Sequence, residues 1–153
     1  MRLLTAVDQL FLLLETRNQP MHIGGLFLFE MPEHASDNFV SDLVQQMLHN
    51  KTPPSFPFNQ VLYHLLYWKT DQDFDVDHHF RHIALPKPAR VRELLVYISQ
   101  EHSKLLNRAK PMWECHIIEG IEGNRFALYF KIHHSMVDGI RSEEHTPELQ
   151  SPC

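Results

Sequence analysis

Alternation of apolar and polar positions marks Phe126-Ala-Leu-Tyr-Phe-Lys-Ile132 as a strand. Phe126, Leu128, Phe130 and Ile132 share one face, and Ala127, Tyr129, Lys131 and His133 the other. Carried one residue further, the period of two puts His134 on the apolar face and His133 on the polar one. An imidazole at the end of a buried strand face is desolvated and so favours its neutral form, which is what a general base needs near pH 7. Asp138-Gly139 then reads as the turn that stops the strand.

Upstream, Thr5 and Asp8 read as an N-cap with an acidic first turn, followed by a short helix with Val7, Leu10, Phe11 and Leu14 on its apolar face. A strand is expected over Met21 to Glu30, where Gly24-Gly25 marks a bulge or a close backbone approach. A second helix runs from a Ser36 cap to about His49, carrying Phe39, Leu43 and Met47 beside Val40 and Val44. Three prolines between Pro53 and Pro57 end it. Gln60 to Lys69 fits either a strand or a helix, and Asp71 to Asp77 reads as a solvated acidic connector. Val76, His78, Phe80 and His82 alternate as one side of a strand, and Pro86-Lys-Pro88 reads as a linker. Val91 to Arg108 is the strongest helical pattern, with Val91, Leu94, Leu95, Ile98, His102 and Leu105 inward and Glu93, Gln100, Glu101 and Lys104 on the wetter side. Trp113 to Glu119 is a strand, joined through the loop Gly120-Ile-Glu-Gly-Asn124 to the returning strand Arg125 to His133.

Composition changes this picture little. A chain of 153 residues, 43% hydrophobic and 22% charged, can bury one sizeable core. The net charge of −5, with no basic block, argues against nucleic acid as a partner. The apolar run Leu10 to Leu14 is too short to span a bilayer and has no signal-peptide context. Cys115 and Cys153 imply no disulfide framework, so the chain is expected to be intracellular and soluble or peripheral.

His133, His134 and Asp138 leave three readings open: a plain strand end with surface histidines, a metal site, or an acid/base histidine facing a cavity. Adjacent strand residues point to opposite faces, so His133 and His134 could grip one ion together only across a bulge, and no second ligand cluster supports a metal. Here the wider text matters. His133-His-Ser-Met-Val-Asp-Gly139 resembles the His-His-x-x-x-Asp-Gly motif of CoA-dependent acyltransferases. Leu4-Thr-Ala-Val-Asp8, Phe11-Leu-Leu-Leu-Glu-Thr16, Pro20-Met-His-Ile-Gly-Gly25, Phe80-Arg-His-Ile-Ala-Leu-Pro86 and Pro111-Met-Trp-Glu114 appear in order before it. Together, from about Leu3 to Ile140, they are similar to the bacterial wax ester synthase/acyl-CoA:diacylglycerol acyltransferase family. Asn107 stands where that family usually has Asp, and Pro-Met-Trp where it has Pro-Leu-Trp.

The resemblance implies an α/β (α+β) fold, a mixed sheet with packed helices forming the N-terminal half of a chloramphenicol acetyltransferase-like two-domain fold. It implies transfer of a fatty acyl group from acyl-CoA, as co-substrate, to diacylglycerol or a long-chain alcohol, with no permanently bound cofactor and no metal. His134 is then the general base, His133 a positional motif residue, Asp138 an architectural partner of an arginine, and Gly139 a site of close backbone approach. His22, His79 and Arg81 are expected to be structural, and Trp113 to be core packing beside the catalytic strand. Residues 1–140 are expected to form the N-terminal acyltransferase domain, partnered by a C-terminal domain beyond this chain and inactive without it. Residues 141–153 leave the family text and resemble translated sequencing adapter, so they are expected to be a disordered, artefactual tail. Other classes remain: a carrier-protein-dependent acyltransferase such as a condensation domain, or a non-catalytic fragment.

Overall fold

The computed structural model describes residues 1–50, 52–137 and 140. In chain order the elements are β1 (Arg2–Leu3), α1 (Ala6–Leu14), β2 (His22–Glu30), α2 (Phe39–His49), β3 (Gln60–Tyr63), β4 (Tyr67–Thr70), α3 (Val76–His79), β5 (Phe80–Ala89), α4 (Val91–His102), β6 (Trp113–Ile121) and β7 (Arg125–His133). They form a mixed α/β unit with a four-stranded sheet, order β2-β7-β6-β5, and a small sheet, order β1-β4-β3. Only the β5–β6 pair is parallel in the larger sheet; β7 runs antiparallel to both its neighbours. No helix among the described residues is long and apolar enough to cross a membrane.

Local chemistry explains most boundaries. Thr5 and Asp8 form a reciprocal capping box at the start of α1. Gln60 to Lys69 resolves as a hairpin, because His64 and Leu65 take left-handed backbone angles and reverse the chain within the run. The β6–β7 connection turns through Gly123 and Asn124, both at positive φ. Gly24 marks the expected close approach, without a bulge, since β2 and β7 pair without interruption from His22↔His133 to Glu30↔Arg125.

Other expectations are corrected. Residues 76–79 are a helical turn capped by Asp75, so the strand starts only at Phe80 and His78 does not alternate with it. Pro86 to Pro88 is no linker but the outer part of β5; on this edge strand a missing amide is tolerated, and the register shifts between Ala84 and Ala89. Helix α4 stops at His102 instead of Arg108. The Lys131 ammonium donates to the Glu101 and Lys104 carbonyls there, satisfying acceptors that a continuing helix would have used. Glu101, expected on the wet side, is buried between Arg81 and Lys104. Helix α1 buries Asp8 and Leu12, whereas Val7, Leu10 and Leu14 of its expected inner face are exposed.

The two faces of the larger sheet are covered differently. Beneath α4, Leu94 packs on Ile118, Ile121, Ala127 and Tyr129. On the opposite face, Trp113, Cys115 and Ile132 pack with Leu12, Trp68, Met112 and Met136, while Ile117 meets Val40 and Val44 of α2. Strand β2, at the sheet edge, leaves Phe27 54% exposed, and α1 leaves Leu13 75% exposed. An apolar rim therefore runs along the side of the unit that carries the end of β7.

Candidate active site

The end of β7 sorts its two histidines. His133 is the last strand residue and is completely buried, its amide donating to the Met112 carbonyl at 3.1 Å. The backbone then turns helical over residues 134–137, so the period of two ends before His134. His134 does not join the face of Ile132. It is half-buried, its amide donates to the Met21 carbonyl at 2.9 Å, and its ring stacks on Phe11 with centroids 4.9 Å apart. Desolvation, expected for His134, falls instead on His133. Burial there pushes the imidazole down to about 4, so it is neutral at pH 7.

The surroundings of His133 were not foreseen from the sequence. The Ser135 amide donates to His133 Nδ1 at 3.2 Å, and the Ser135 hydroxyl lies 2.8 Å from the same nitrogen. An Nδ1 that accepts leaves the proton on Nε2. Nε2 lies 3.2 Å from Glu15 Oε2, a short contact without hydrogen-bond alignment. The Glu15 side chain is 2% exposed; its Oε2 accepts from the Met21 amide at 2.8 Å and its Oε1 from Arg108 Nη2 at 3.1 Å. Arg108 Nη2 also donates to the Leu12 carbonyl at 2.7 Å. Burial raises the Glu15 carboxyl, but the Met21 amide and the Arg108 guanidinium outweigh it and hold it below the ordinary carboxylate range. The sequence held one signal for this network. An acidic residue at the C-terminal end of a helix opposes the helix dipole, so Glu15 calls for a cationic partner.

A second polar layer lies beneath α4. Lys131 is 1% exposed and Glu114 is also buried; their side chains approach to 3.9 Å. His116 links Glu114 to Tyr97, with Nε2 3.1 Å from Glu114 Oε2 and Nδ1 2.9 Å from the Tyr97 hydroxyl. Burial alone would raise the Glu114 carboxyl, yet the His116 bond and the Lys131 and Arg81 charges lower it to about 2. Desolvation lowers the Lys131 ammonium and raises the Tyr129 hydroxyl. Tyr129 bonds His102 Nδ1 at 2.5 Å, and His22 Nε2 donates to the His102 carbonyl at 2.6 Å. A Cβ at Gly24 would stand 2.8 Å from the Tyr129 ring, which explains the glycine.

The remaining expected structural residues have geometry to match that role. His79 Nδ1 donates to the Trp113 carbonyl at 2.8 Å, and its ring stacks against both Phe74 and Trp113. Arg81 bridges Glu101 and Glu114. Trp113 is buried in the core and donates to the Phe58 carbonyl. Cys115 is buried and its thiol is raised by desolvation to about 11, away from reactivity. No three His, Cys, Asp or Glu side chains among the described residues are grouped to hold a metal ion. Asp138, Gly139 and residues 141–153 lie outside the described residues.

Residues 4–149 match the wax ester synthase/diacylglycerol acyltransferase catalytic domain. Over 140 residues the chain is 64% identical to the O-acyltransferase WSD of Acinetobacter baylyi, which covers 92% of this chain and 30% of that protein. The solved wax ester synthase/diacylglycerol acyltransferase of Marinobacter aquaeolei superposes with a TM-score of 0.86 at 47% identity, over all of this chain and 38% of that one. At 11% identity and a TM-score of 0.60, the starter condensation domain of rhizomide synthetase shares the fold over 87% of this chain and 33% of its own. The chain thus spans about a third of the length of the proteins it matches.

Proposed function

This chain belongs to the wax ester synthase/diacylglycerol acyltransferase catalytic-domain family, and on that premise we propose that it carries the histidine side of an O-acyltransferase site. The proposed reaction moves a fatty acyl group from acyl-CoA to diacylglycerol or a long-chain alcohol, in the cytoplasm and in peripheral contact with the inner membrane or lipid inclusions. His134 removes the acceptor's hydroxyl proton as its oxygen attacks the thioester carbonyl. The C–S bond then breaks, and protonated His134 returns the proton to the CoA thiolate. Asp138 is architectural in this reading, and Gly139 lets the backbone approach a substrate.

One observation carries the choice of base. Both ring nitrogens of His133 face protein groups in a site closed to solvent, whereas the His134 ring nitrogens have no hydrogen-bond partner among the described residues and the side chain reaches the surface beside the apolar rim. A base must reach its substrate's proton, and that requirement supports His134 over His133 in the role. The other face of the site is proposed to come from the part of the protein that the relatives have beyond the matched third.

Thiol release from palmitoyl-CoA, dependent on added hexadecanol or diacylglycerol, tests this on the full-length gene product. His134→Ala is expected to lower the rate by roughly 10²–10⁴-fold, the usual contribution of general-base catalysis. Transfer at near wild-type rate in that variant would overturn the assignment.

A further inference from the structure

We propose that Glu15, braced by Arg108, is the positioning residue of the His133-His134 pair; this rests on the reading of His134 as the base. The observation behind it is a single carboxylate oxygen. Glu15 Oε2 accepts the Met21 amide, and the Met21 carbonyl in turn accepts the His134 amide at 2.9 Å. The same Oε2 faces His133 Nε2, and His133 Nδ1 accepts the Ser135 amide. The peptide units on both sides of His134 are therefore tied, through one intermediate each, to one buried oxygen.

Helix α1 supplies the third restraint. Phe11, which stacks on the His134 ring, lies four residues before Glu15, whose amide donates to the Phe11 carbonyl at 3.2 Å. The last turn of α1 thus sets both the backbone and the ring plane of His134. Arg108 fixes that turn by donating to Glu15 Oε1 and to the Leu12 carbonyl, and it neutralises the carboxylate charge. Glu15 touches no reacting atom in this scheme. Its contribution is to fix where His134 sits; the Ser135 amide already keeps the proton of His133 on Nε2.

Two variants and two readouts test the proposal. Glu15→Gln keeps an oxygen for the Met21 amide and gives up the Arg108 bond; Glu15→Ala removes both. In amide ¹⁵N spectra of the 153-residue chain, the His134 amide should stay near its wild-type shift in Glu15→Gln and move in Glu15→Ala, because the Met21 segment that receives it is then released. In the acyl-transfer assay, Glu15→Ala should lower kcat about 10²-fold with KM for acyl-CoA unchanged, the cost of misplacing a catalytic group by about 1 Å, while Glu15→Gln loses less than about tenfold. A folded Glu15→Ala chain with the His134 amide unmoved would overturn the proposal, as would a Glu15→Gln variant as slow as Glu15→Ala. If Glu15→Ala does not fold, Glu15→Gln decides: a retained His134 amide shift supports the proposal and its displacement overturns it. Absence of transfer in the wild type would sink the acyltransferase reading alone, because the amide readout needs no activity.

Discussion

The two faces of β7 carry opposite lessons. Phe126, Leu128 and Phe130, the face that looks like core, are only half-buried, whereas Ala127, Tyr129, Lys131 and His133, the face that looks wet, are sealed almost completely. Alternation identified which residues share a face. It did not identify which face is dry, because a polar side chain can be buried whenever its hydrogen bonds are met. Lys131 meets that condition on the Glu101 carbonyl of α4 and the Lys104 carbonyl just past its end, and His133 on Ser135, with Glu15 close by. The apolar face, by contrast, leads toward the exposed rim of α1 and β2, where packing is incomplete.

The largest expected effect comes from breaking the polar face. Lys131→Ala leaves buried Glu114 and two helix-end carbonyls short of a partner, and should cost about 3–5 kcal/mol in urea unfolding. Phe130→Ala, on the half-buried apolar face, should cost about 2 kcal/mol. Equal losses from the two would remove the contrast. Next in size is Gly24→Ala, whose new methyl meets Tyr129 and His102; it should destabilise by about 1–3 kcal/mol. Gly25→Ala, which meets only the exposed Phe27 ring at 3.3 Å, serves as its control. Tyr129→Phe removes the hydroxyl bonded to His102 and should cost about 1 kcal/mol if that bond holds the layer together.

The smallest effect per group is a pH dependence. The buried His22, His79 and His133 and the half-buried His102 are all lowered by desolvation from the ordinary value of 6.5. Unfolding therefore takes up protons below about pH 6.5, and the folded chain should lose stability as pH falls through that window towards about 4. Glu15 and Glu114 act in the same direction at lower pH, since their stabilisation is present above their unfolded values and is lost as pH drops toward their depressed folded ones. Urea midpoints that stay flat from pH 7 to 5 would contradict the burial of these histidines.

Much of the fold was legible. The Thr5–Asp8 capping box, β2, the β6–β7 hairpin and the start of α4 follow from spacing and turn chemistry close to the chain. What sequence could not show depends on contacts remote in sequence. Helix α4 ends where Lys131 reaches its carbonyls, and Glu101 is buried because Arg81 and Lys104 converge on it. The ordered motifs located the His133-His134 pair, but the division of labour within it rests on Glu15 and Arg108. Those two residues lie 93 positions apart, one inside the Phe11–Thr16 text and the other at the expected end of a helix, and no spacing rule joins them. A helical turn at His134 was also invisible to a period of two.

His133 sits on a dry face, held neutral, while its neighbour reaches the surface. Following the His133 imidazole by ¹⁵N chemical shift in the folded chain, from pH 8 down to the onset of unfolding, tests it most directly. A neutral ring protonated at Nε2 is expected throughout that range, charging only near about 4. Charging of His133 near the ordinary histidine value of 6.5, in a chain that remains folded, would contradict it.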